Sequence, residues 1–198
     1  MKLLACLAVC VPIALPFGTR LTGPARPHVE PATYEVDSDH SLVVFKIRHL
    51  GVANFYGTFK RVSGQFRYDE AAPENSSVKV EVDVDSVDAN NPERHKLLVG
   101  EGFFDAAKHP TWTFESTEVA KAADDQFTLK GELVVRGQKK EIEAELELIG
   151  AGRTFMGQRA GWEARFTIDR SEFGMTQVPP PGLGNEIEVI VSLEGVKR

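Results

Sequence analysis

Strict two-residue alternation is the feature of this chain that most limits what it can fold into. Residues 78–85 read VKVEVDVD, with valine at every even position and a charged residue at every odd one. Side chains of a β-strand point alternately to opposite faces, so this segment has one apolar face and one face that needs water. Residues 139–150, KKEIEAELELIG, repeat the pattern with a row of glutamates.

The same alternation recurs along most of the chain, in residues 41–48, 56–69, 111–119, 126–137, 160–170 and 186–195. About eight strands at even spacing, joined by short loops, predict an all-β antiparallel barrel or sandwich. Little helical sequence is available to cover the apolar faces, so those faces must meet one another, which favours a closed barrel. A barrel of this size is either just filled by side chains or holds one ligand, and periodicity does not decide between the two.

The segments that connect the strands are short. Residues 92–110, PERHKLLVGEGFFDAAKHP, predict a short helical insertion near residues 92–108, because Pro92 suits a first helical turn. RGQKK at 136–140 predicts a tight hairpin, and VPPPGLGN at 178–185 is an unusual loop before the last strand. Gly57 and Gly64 lie inside strand-like sequence and predict a bend or bulge where the sheet curls.

The N-terminus has a different composition. Lys2 is followed by fifteen uncharged residues, LLACLAVCVPIALPF, which predict a secretory signal peptide, since a membrane span needs about 20 residues. We assign residues 1–25 to the signal peptide and its lead-in and expect a periplasmic or secreted protein; a retained anchor is the alternative. Cys6 and Cys10 both lie in this segment, so cleavage would leave no thiol for a disulfide, metal site or nucleophile.

Charge and side-chain spacing bear on function. The net charge of −6 and the lack of a basic cluster argue against nucleic acid as a partner. His40, His49, His95 and His109 lack the spacing of zinc ligands, so no metal is predicted. Ser41 follows His40 in a strand rather than on a nucleophile elbow, so no catalytic residue is predicted.

Five segments, in order, resemble the YceI-like family. They are DSDHSLVVFKIRH (37–49), YGTFKRVSGQF (56–66), residues 84–117 with PERHKLLVGEGFFD, GELVVRGQKKEI (131–142) and IDRSEFGM (168–175). The resemblance covers residues 33–196. It implies an extended, lipocalin-like antiparallel barrel in an exported bacterial protein that holds a long apolar chain, such as a polyisoprenoid or a quinone, in its lumen.

Together with the apolar parity, the resemblance implies a ligand-binding lining, for which packing as an ordinary core is the alternative. Its residues are Val43, Phe45, Ile47, Phe59, Val80, Val82, Val84, Leu97, Phe103, Phe104, Trp112, Phe114, Leu133, Trp162, Phe166, Ile168, Phe173, Val189 and Val191. Three residues are assigned to the ligand head group: Arg94, Arg170 and His49. For the two arginines, structural ion pairs are the alternative.

The expected function is non-catalytic binding of the lipid, with no cofactor required beyond that isoprenoid or quinone-type ligand. A homodimer and a transient membrane contact are left open as further partners. Two other functions stay open as well: an enzyme acting on such a lipid through His40, His49 or His95, and an interaction protein with a filled barrel. The family pattern has Arg-Asp where this chain has Arg94-His95, which puts head-group preference in question.

Overall fold

The structure is a computed structural model that describes residues 30–198. The predicted signal peptide and lead-in, residues 1–25, and both cysteines lie outside the described residues. Within the described part, no helix has the length and apolar character needed to cross a membrane.

The described chain is built almost entirely from strands. They are β1 (Ala32–Val36), β2 (Leu42–His49), β3 (Ala53–Phe59), β4 (Val62–Tyr68), β5 (Ser77–Asp83), β6 (Val87–Asp88), β7 (Thr111–Ala123), β8 (Gln126–Val135), β9 (Gln138–Thr154), β10 (Gly157–Asp169) and β11 (Leu183–Lys197). One α-helix is present, α1 (Pro92–Val99), with short 3-10 turns at Ser38–His40, Pro73–Asn75, Val84–Ser86 and Arg170–Phe173.

These strands form a closed antiparallel barrel. The pairs β1/β2, β3/β4 and β5/β6 each continue one long strand across a short break, so eleven segments make eight long strands. Each long strand pairs with the next along the chain, and β11 pairs back with both β1 and β2 to close the ring. The predicted all-β barrel of about eight strands is confirmed.

Burial follows the sequence alternation. In β5, the buried Val80 and Val82 alternate with the exposed Lys79 and Glu81. In β9, Ala144, Leu146 and Leu148 are buried and the intervening glutamates are exposed. Burial of apolar surface stabilises this arrangement by about 25 cal/mol per Å². A one-residue slip of register would turn the apolar side chains to the solvent and the charged ones to the interior.

The two ends of the barrel differ. One end, which we call the mouth, carries the β2–β3 turn, α1, the β8–β9 turn and the loop 174–182. Leu50 N–H donates to the Gly182 carbonyl at 2.9 Å, and Arg136 Nη1 donates to the Gly174 carbonyl at 2.7 Å, which ties these segments together. The opposite end carries the turns 69–76, 124–125 and 155–156.

Several residues in the turns and strands have positive φ angles. Arg136 and Gly137 both take positive φ, 50° and 71°, as a two-residue hairpin demands, so the predicted tight turn is present. Gly64 has φ 128°, and a Cβ there would lie 2.3 Å from the Lys79 carbonyl oxygen. The long strand is interrupted at residues 60–61, between the two glycines, where β3 gives way to β4.

The helical insertion is shorter than predicted. Asn91 caps α1, with its side chain accepting from the N–H groups of Glu93 and Arg94, and the helix ends at Val99 before Gly100. Residues 101–108 form turns instead of continuing to 108, because the chain must bend inward to bury Phe103 and Phe104. The hydrophobic effect at these two rings overrides the helical preference of the segment.

Candidate ligand-binding site

The barrel encloses a cavity of about 70 Å³ whose lining is almost entirely hydrocarbon. Thr113 is the one hydroxyl-bearing side chain in it, and the indole N–H groups of Trp112 and Trp162 are buried without an acceptor among the described residues. The lining residues are Val43, Val62, Val78, Val80, Val82, Trp112, Thr113, Phe114, Leu129, Leu133, Ile142, Ala144, Leu146, Trp162, Ala164, Phe166, Ile168, Val189, Val191 and Leu193. We call this the lumen cavity.

The lumen cavity is long and narrow. Trp162 and Ile168 both line it and lie six residues apart on β10, which is about 20 Å along the strand. A volume of about 70 Å³ spread over that length leaves a thin channel. Such a shape suits an extended chain better than a compact molecule.

An aromatic layer closes the lumen cavity towards the mouth. Phe104 packs against Phe59 and Phe45 at centroid distances of 5.3 and 6.2 Å, and Phe59 packs against Trp112 at 4.5 Å. Gly57 makes room for this layer: a Cβ there would lie 2.3 Å from the Phe45 ring. The layer is therefore dense, and its rings must move before anything passes between the lumen cavity and the mouth.

A second cavity of about 330 Å³ opens on the other side of this layer, and we call it the mouth cavity. It is mainly apolar, with two arginines, a histidine and an asparagine. Its lining residues are Phe45, Ile47, His49, Ala53, Asn54, Phe55, Arg94, Leu97, Leu98, Phe103, Phe104, Arg170, Met175, Val178, Leu183 and Ile187.

Arg170 is buried beside the mouth cavity, and backbone carbonyls surround its guanidinium. Nε donates to Gly184 O at 2.8 Å; Nη1 donates to Met175 O and to Gln177 O; Nη2 donates to Val178 O at 2.8 Å and to Leu183 O at 3.4 Å. Burial lowers the pKa of Arg170. Its donors are all engaged, so this arginine fastens the loop that forms one wall of the mouth.

Arg94 is placed differently, on the exposed face of α1. Its Nη1 donates to Ala89 O at 2.7 Å, and the guanidinium carbon lies 4.9 Å from the centre of the Phe55 ring. Its Nε and Nη2 groups have no hydrogen-bond partner within residues 30–198. The arginine is thus held in position with donors to spare, and His49 is exposed at the same cavity.

Comparison with known proteins agrees with this geometry. Residues 34–195 match the YceI-like domain. The chain belongs to the YceI-like family. A UPF0312 protein of Azotobacter vinelandii is 37% identical over 186 residues, covering 93% of this chain and 96% of its own.

Solved structures show the same fold. The YceI protein of Campylobacter jejuni superposes with a TM-score of 0.69 at 28% identity, over 77% of this chain and 90% of its own. A polyisoprenoid binding domain from Saccharophagus degradans superposes with a TM-score of 0.65 at 14% identity, over 84% and 99% of the two chains.

The lining residues predicted for this YceI-like chain fall into three groups. One group lines the lumen cavity: Val43, Val80, Val82, Trp112, Phe114, Leu133, Trp162, Phe166, Ile168, Val189 and Val191. A second group lines the mouth cavity: Phe45, Ile47, Leu97, Phe103 and Phe104, together with the head-group candidates Arg94, Arg170 and His49. Phe59, Val84 and Phe173 are buried but line neither cavity.

Several lining residues were absent from the prediction. In the lumen cavity these include Ala144, Ala164 and Leu146, which lie on the recognised apolar parity but are smaller or less distinctive than the aromatics. In the mouth cavity they include Met175 and Val178, which come from loops without periodicity. The alternation of apolar and polar residues marks the missed lumen-cavity residues as inward-facing. Nothing in a single sequence marks the missed mouth-cavity residues, which lie in loops.

The histidines considered as acid or base have separate partners. His40 Nδ1 lies 3.0 Å from Asp37 Oδ2, and Ser41 Oγ donates to Glu194 O at 3.3 Å. His95 Nδ1 lies 2.9 Å from Val87 O. The histidine that replaces the aspartate of the family's Arg-Asp pair therefore anchors α1 to β6 and does not orient Arg94.

An ion cluster lies where β1 gives way to β2. Arg159 Nη1 donates to Asp37 Oδ2 at 2.7 Å and also to Glu194 Oε1. The bond from Arg159, and then the contact with His40, lower the pKa of Asp37. Asp37, His40 and Glu194 offer ligand atoms within 4.8 Å of one another, but the guanidinium already balances both carboxylates.

Proposed function

We propose that this protein is an exported, non-catalytic carrier that holds one long apolar chain, a polyisoprenoid or a prenylated quinone, along the barrel axis. The observation that carries the proposal is the lumen cavity, which is narrow, long and lined by carbon. A packed core would leave no such space, since protein interiors fill to the density of organic crystals.

Binding in this cavity draws on the hydrophobic effect. Each CH₂ group moved out of water contributes about 0.8 kcal/mol, so a prenyl chain needs no directed contact to bind. The residues around an unfilled channel also lack dispersion partners, which a bound chain restores. The lining therefore selects for length and thinness, and it does not specify one lipid by hydrogen bonds.

The head group belongs at the mouth. Arg94 has spare donors at the mouth cavity, and His49 is exposed beside it. We assign contact with a quinone oxygen or a pyrophosphate to these two residues. The donors of Arg170 are already engaged by carbonyls, so its contribution is to hold the wall against which the head group rests.

Two further lines support the proposal. A domain that shares this fold is described as a polyisoprenoid binding domain. The apolar N-terminal segment supports the proposal of export, and an exported carrier would lie between membranes that contain such lipids. Against catalysis, His40 and His95 line neither cavity. His49 does line the mouth cavity, where we assign it to the head group and not to acid–base chemistry.

Tryptophan fluorescence tests the proposal, because the chain has two tryptophans and both line the lumen cavity. Titration with a prenylated quinone, a quencher, is expected to quench both indoles saturably at one quinone per protein. A short-chain quinone without the prenyl tail serves as the control and is expected to quench weakly. Equal quenching by both quinones, or none, would overturn the proposal.

A further inference from the structure

Exposed apolar side chains surround the mouth cavity. Leu50 and Val52, in the β2–β3 turn, are 58% and 82% exposed. Leu97 on α1 is 49% exposed and Val178 is 42% exposed, and both line the cavity itself. The hydrogen bond from Leu50 N–H to Gly182 O places the turn beside the loop that carries Val178. We call these four residues the apolar rim.

Two rim residues have backbone conformations that residues of their type rarely adopt. Leu50 has φ 52° and Val178 has φ 55°, in the left-handed region where asparagine and glycine are at ease. A branched side chain in that region is an outlier that local folding does not explain. Turn chemistry would favour a small polar residue at both positions, so their apolar side chains point to a role outside the fold.

The mouth also carries several arginines. Arg48, Arg94 and Arg136 are near it and make no ion pair with any residue of the described 30–198 range. The segments 48–53 and 174–182 contain no carboxylate. At the opposite end, the turns 69–76 and 124–125 contain five carboxylates and no lysine or arginine. Two of these carboxylates pair with cations of the adjoining strands, Asp69 with Arg67 and Asp124 with Lys121, so the difference between the ends rests mainly on the arginines of the mouth.

We propose that the apolar rim and the arginines around it form a surface that docks on an anionic lipid bilayer, with the mouth facing the membrane. This inference rests on the proposed function, since it places the opening of the lipid-binding cavity against the phase that supplies the lipid. Apolar side chains insert at the boundary between head groups and acyl chains, and the arginines meet lipid phosphates.

A bilayer fits this surface better than a second copy of the chain. A symmetric dimer through the rim would bring Arg48 and Arg94 of both copies together, and like charges at an interface are unfavourable. An anionic bilayer instead complements these charges.

The experiment measures binding to phosphatidylcholine vesicles with and without phosphatidylglycerol. The protein is purified from an exporting host, and mass spectrometry identifies its N-terminal residue. The double variant Leu50→Asn/Val52→Ser is expected to bind anionic vesicles about tenfold more weakly or worse, since it removes two exposed apolar side chains. Asparagine is at ease at φ 52°, so the melting temperature is not expected to fall. Arg48→Gln is expected to lose about fivefold, on anionic vesicles only.

Phe155→Ser is the matched control. Phe155 is 99% exposed at the tip of the β9–β10 hairpin, at the end away from the mouth, and its loss is expected to leave vesicle binding unchanged. Absence of vesicle binding by the native protein, an equal loss in Phe155→Ser, or a change of oligomeric state in the rim variants would overturn the inference.

The outcome for the proposed function is read separately. Lipid bound to the same proteins is extracted and identified, and quinone uptake from detergent micelles is measured without a bilayer. A protein that takes up quinone from micelles but ignores vesicles contradicts the docking surface alone. A protein that docks through the rim but holds no lipid contradicts the proposed function alone.

Discussion

Phe104 meets Trp112 edge-on, with ring centroids 5.1 Å apart, at the boundary between the two cavities. Trp112 lines the lumen cavity and Phe104 lines the mouth cavity. The interplanar angle of 78° is a favoured aromatic arrangement and contributes about 0.5–1.5 kcal/mol beyond the buried area. The pair therefore stabilises the fold and, at the same time, obstructs the path of a ligand.

Shortening Phe104 is expected to speed ligand exchange while weakening the fold. Phe104→Leu leaves a gap between the cavities, so quinone uptake in stopped-flow fluorescence should be faster than in the native protein. Phe173→Leu is the control, because Phe173 is equally buried but lines neither cavity. An acceleration of the same size in both variants would show that general loosening, and not this layer, sets the rate.

Replacing Arg170 is expected to destabilise the protein through its loop. Arg170→Met removes the donors from five loop carbonyls, of which the bond to Met175 O is buried and the others are part-buried. At about 1–3 kcal/mol for each buried group left unsatisfied, the expected loss of unfolding free energy is about 3 kcal/mol. Arg170→Lys should restore little, because an ammonium group cannot reproduce the planar fork. Urea unfolding measures both variants. A lysine variant as stable as the native protein would contradict the role given to this guanidinium.

Arg94 is expected to affect ligand choice and not folding. Arg94→Gln removes a charge at the mouth cavity, so affinity for a prenyl pyrophosphate should fall about tenfold relative to that for a prenylated quinone, as for loss of one charge-assisted bond. Lys96→Gln, on the same exposed helix, is the control and should change neither affinity. Competition against quinone quenching gives both values, and a parallel loss for the two ligands would remove Arg94 from the head-group site.

The Asp37–Arg159 pair is expected to make stability depend on pH in the acid range. The pKa of Asp37 is lower in the folded protein than in the unfolded chain, chiefly because of Arg159. Its stabilisation is therefore complete above about pH 4, the unfolded value, and is lost as the pH falls through the folded pKa. Arg159→Met should flatten unfolding free energy against pH below about pH 4, while Arg153→Met, an exposed control, should not. Equal slopes in all three proteins would contradict this.

Alternation in the sequence was sufficient to predict the barrel, because a two-residue period with one charged face has few other solutions. The valines of β5 and the alanine and leucines of β9 face inward as their spacing required. The breaks within the three composite strands were not visible, since they depend on how neighbouring strands curl. The end of α1 was predicted too late because burial of Phe103 and Phe104 is a tertiary effect.

The site was less predictable than the fold. Parity identified wall positions but could not tell a packed core from a channel, a distinction that depends on how side chains such as Trp162 and Tyr68 meet across the barrel. Arg170 was selected as a polar residue at a strand end, yet its carbonyl partners come from a loop with no pattern. The chemical character of a side chain can be predicted from its residue type. The partners of a buried side chain depend on the tertiary structure, which brings distant segments together.

The most direct measurement is identification of what the protein carries when it is purified from a host that can export it. The native protein is purified without detergent, extracted with organic solvent and analysed by mass spectrometry, beside Ala164→Phe, which fills the lumen cavity, and Thr167→Phe, which faces outward on the same strand. We predict one long-chain prenyl lipid per molecule in the native protein and in Thr167→Phe, and little in Ala164→Phe. A native protein that is empty and takes up no prenylated quinone, or equal lipid in all three, would contradict the account.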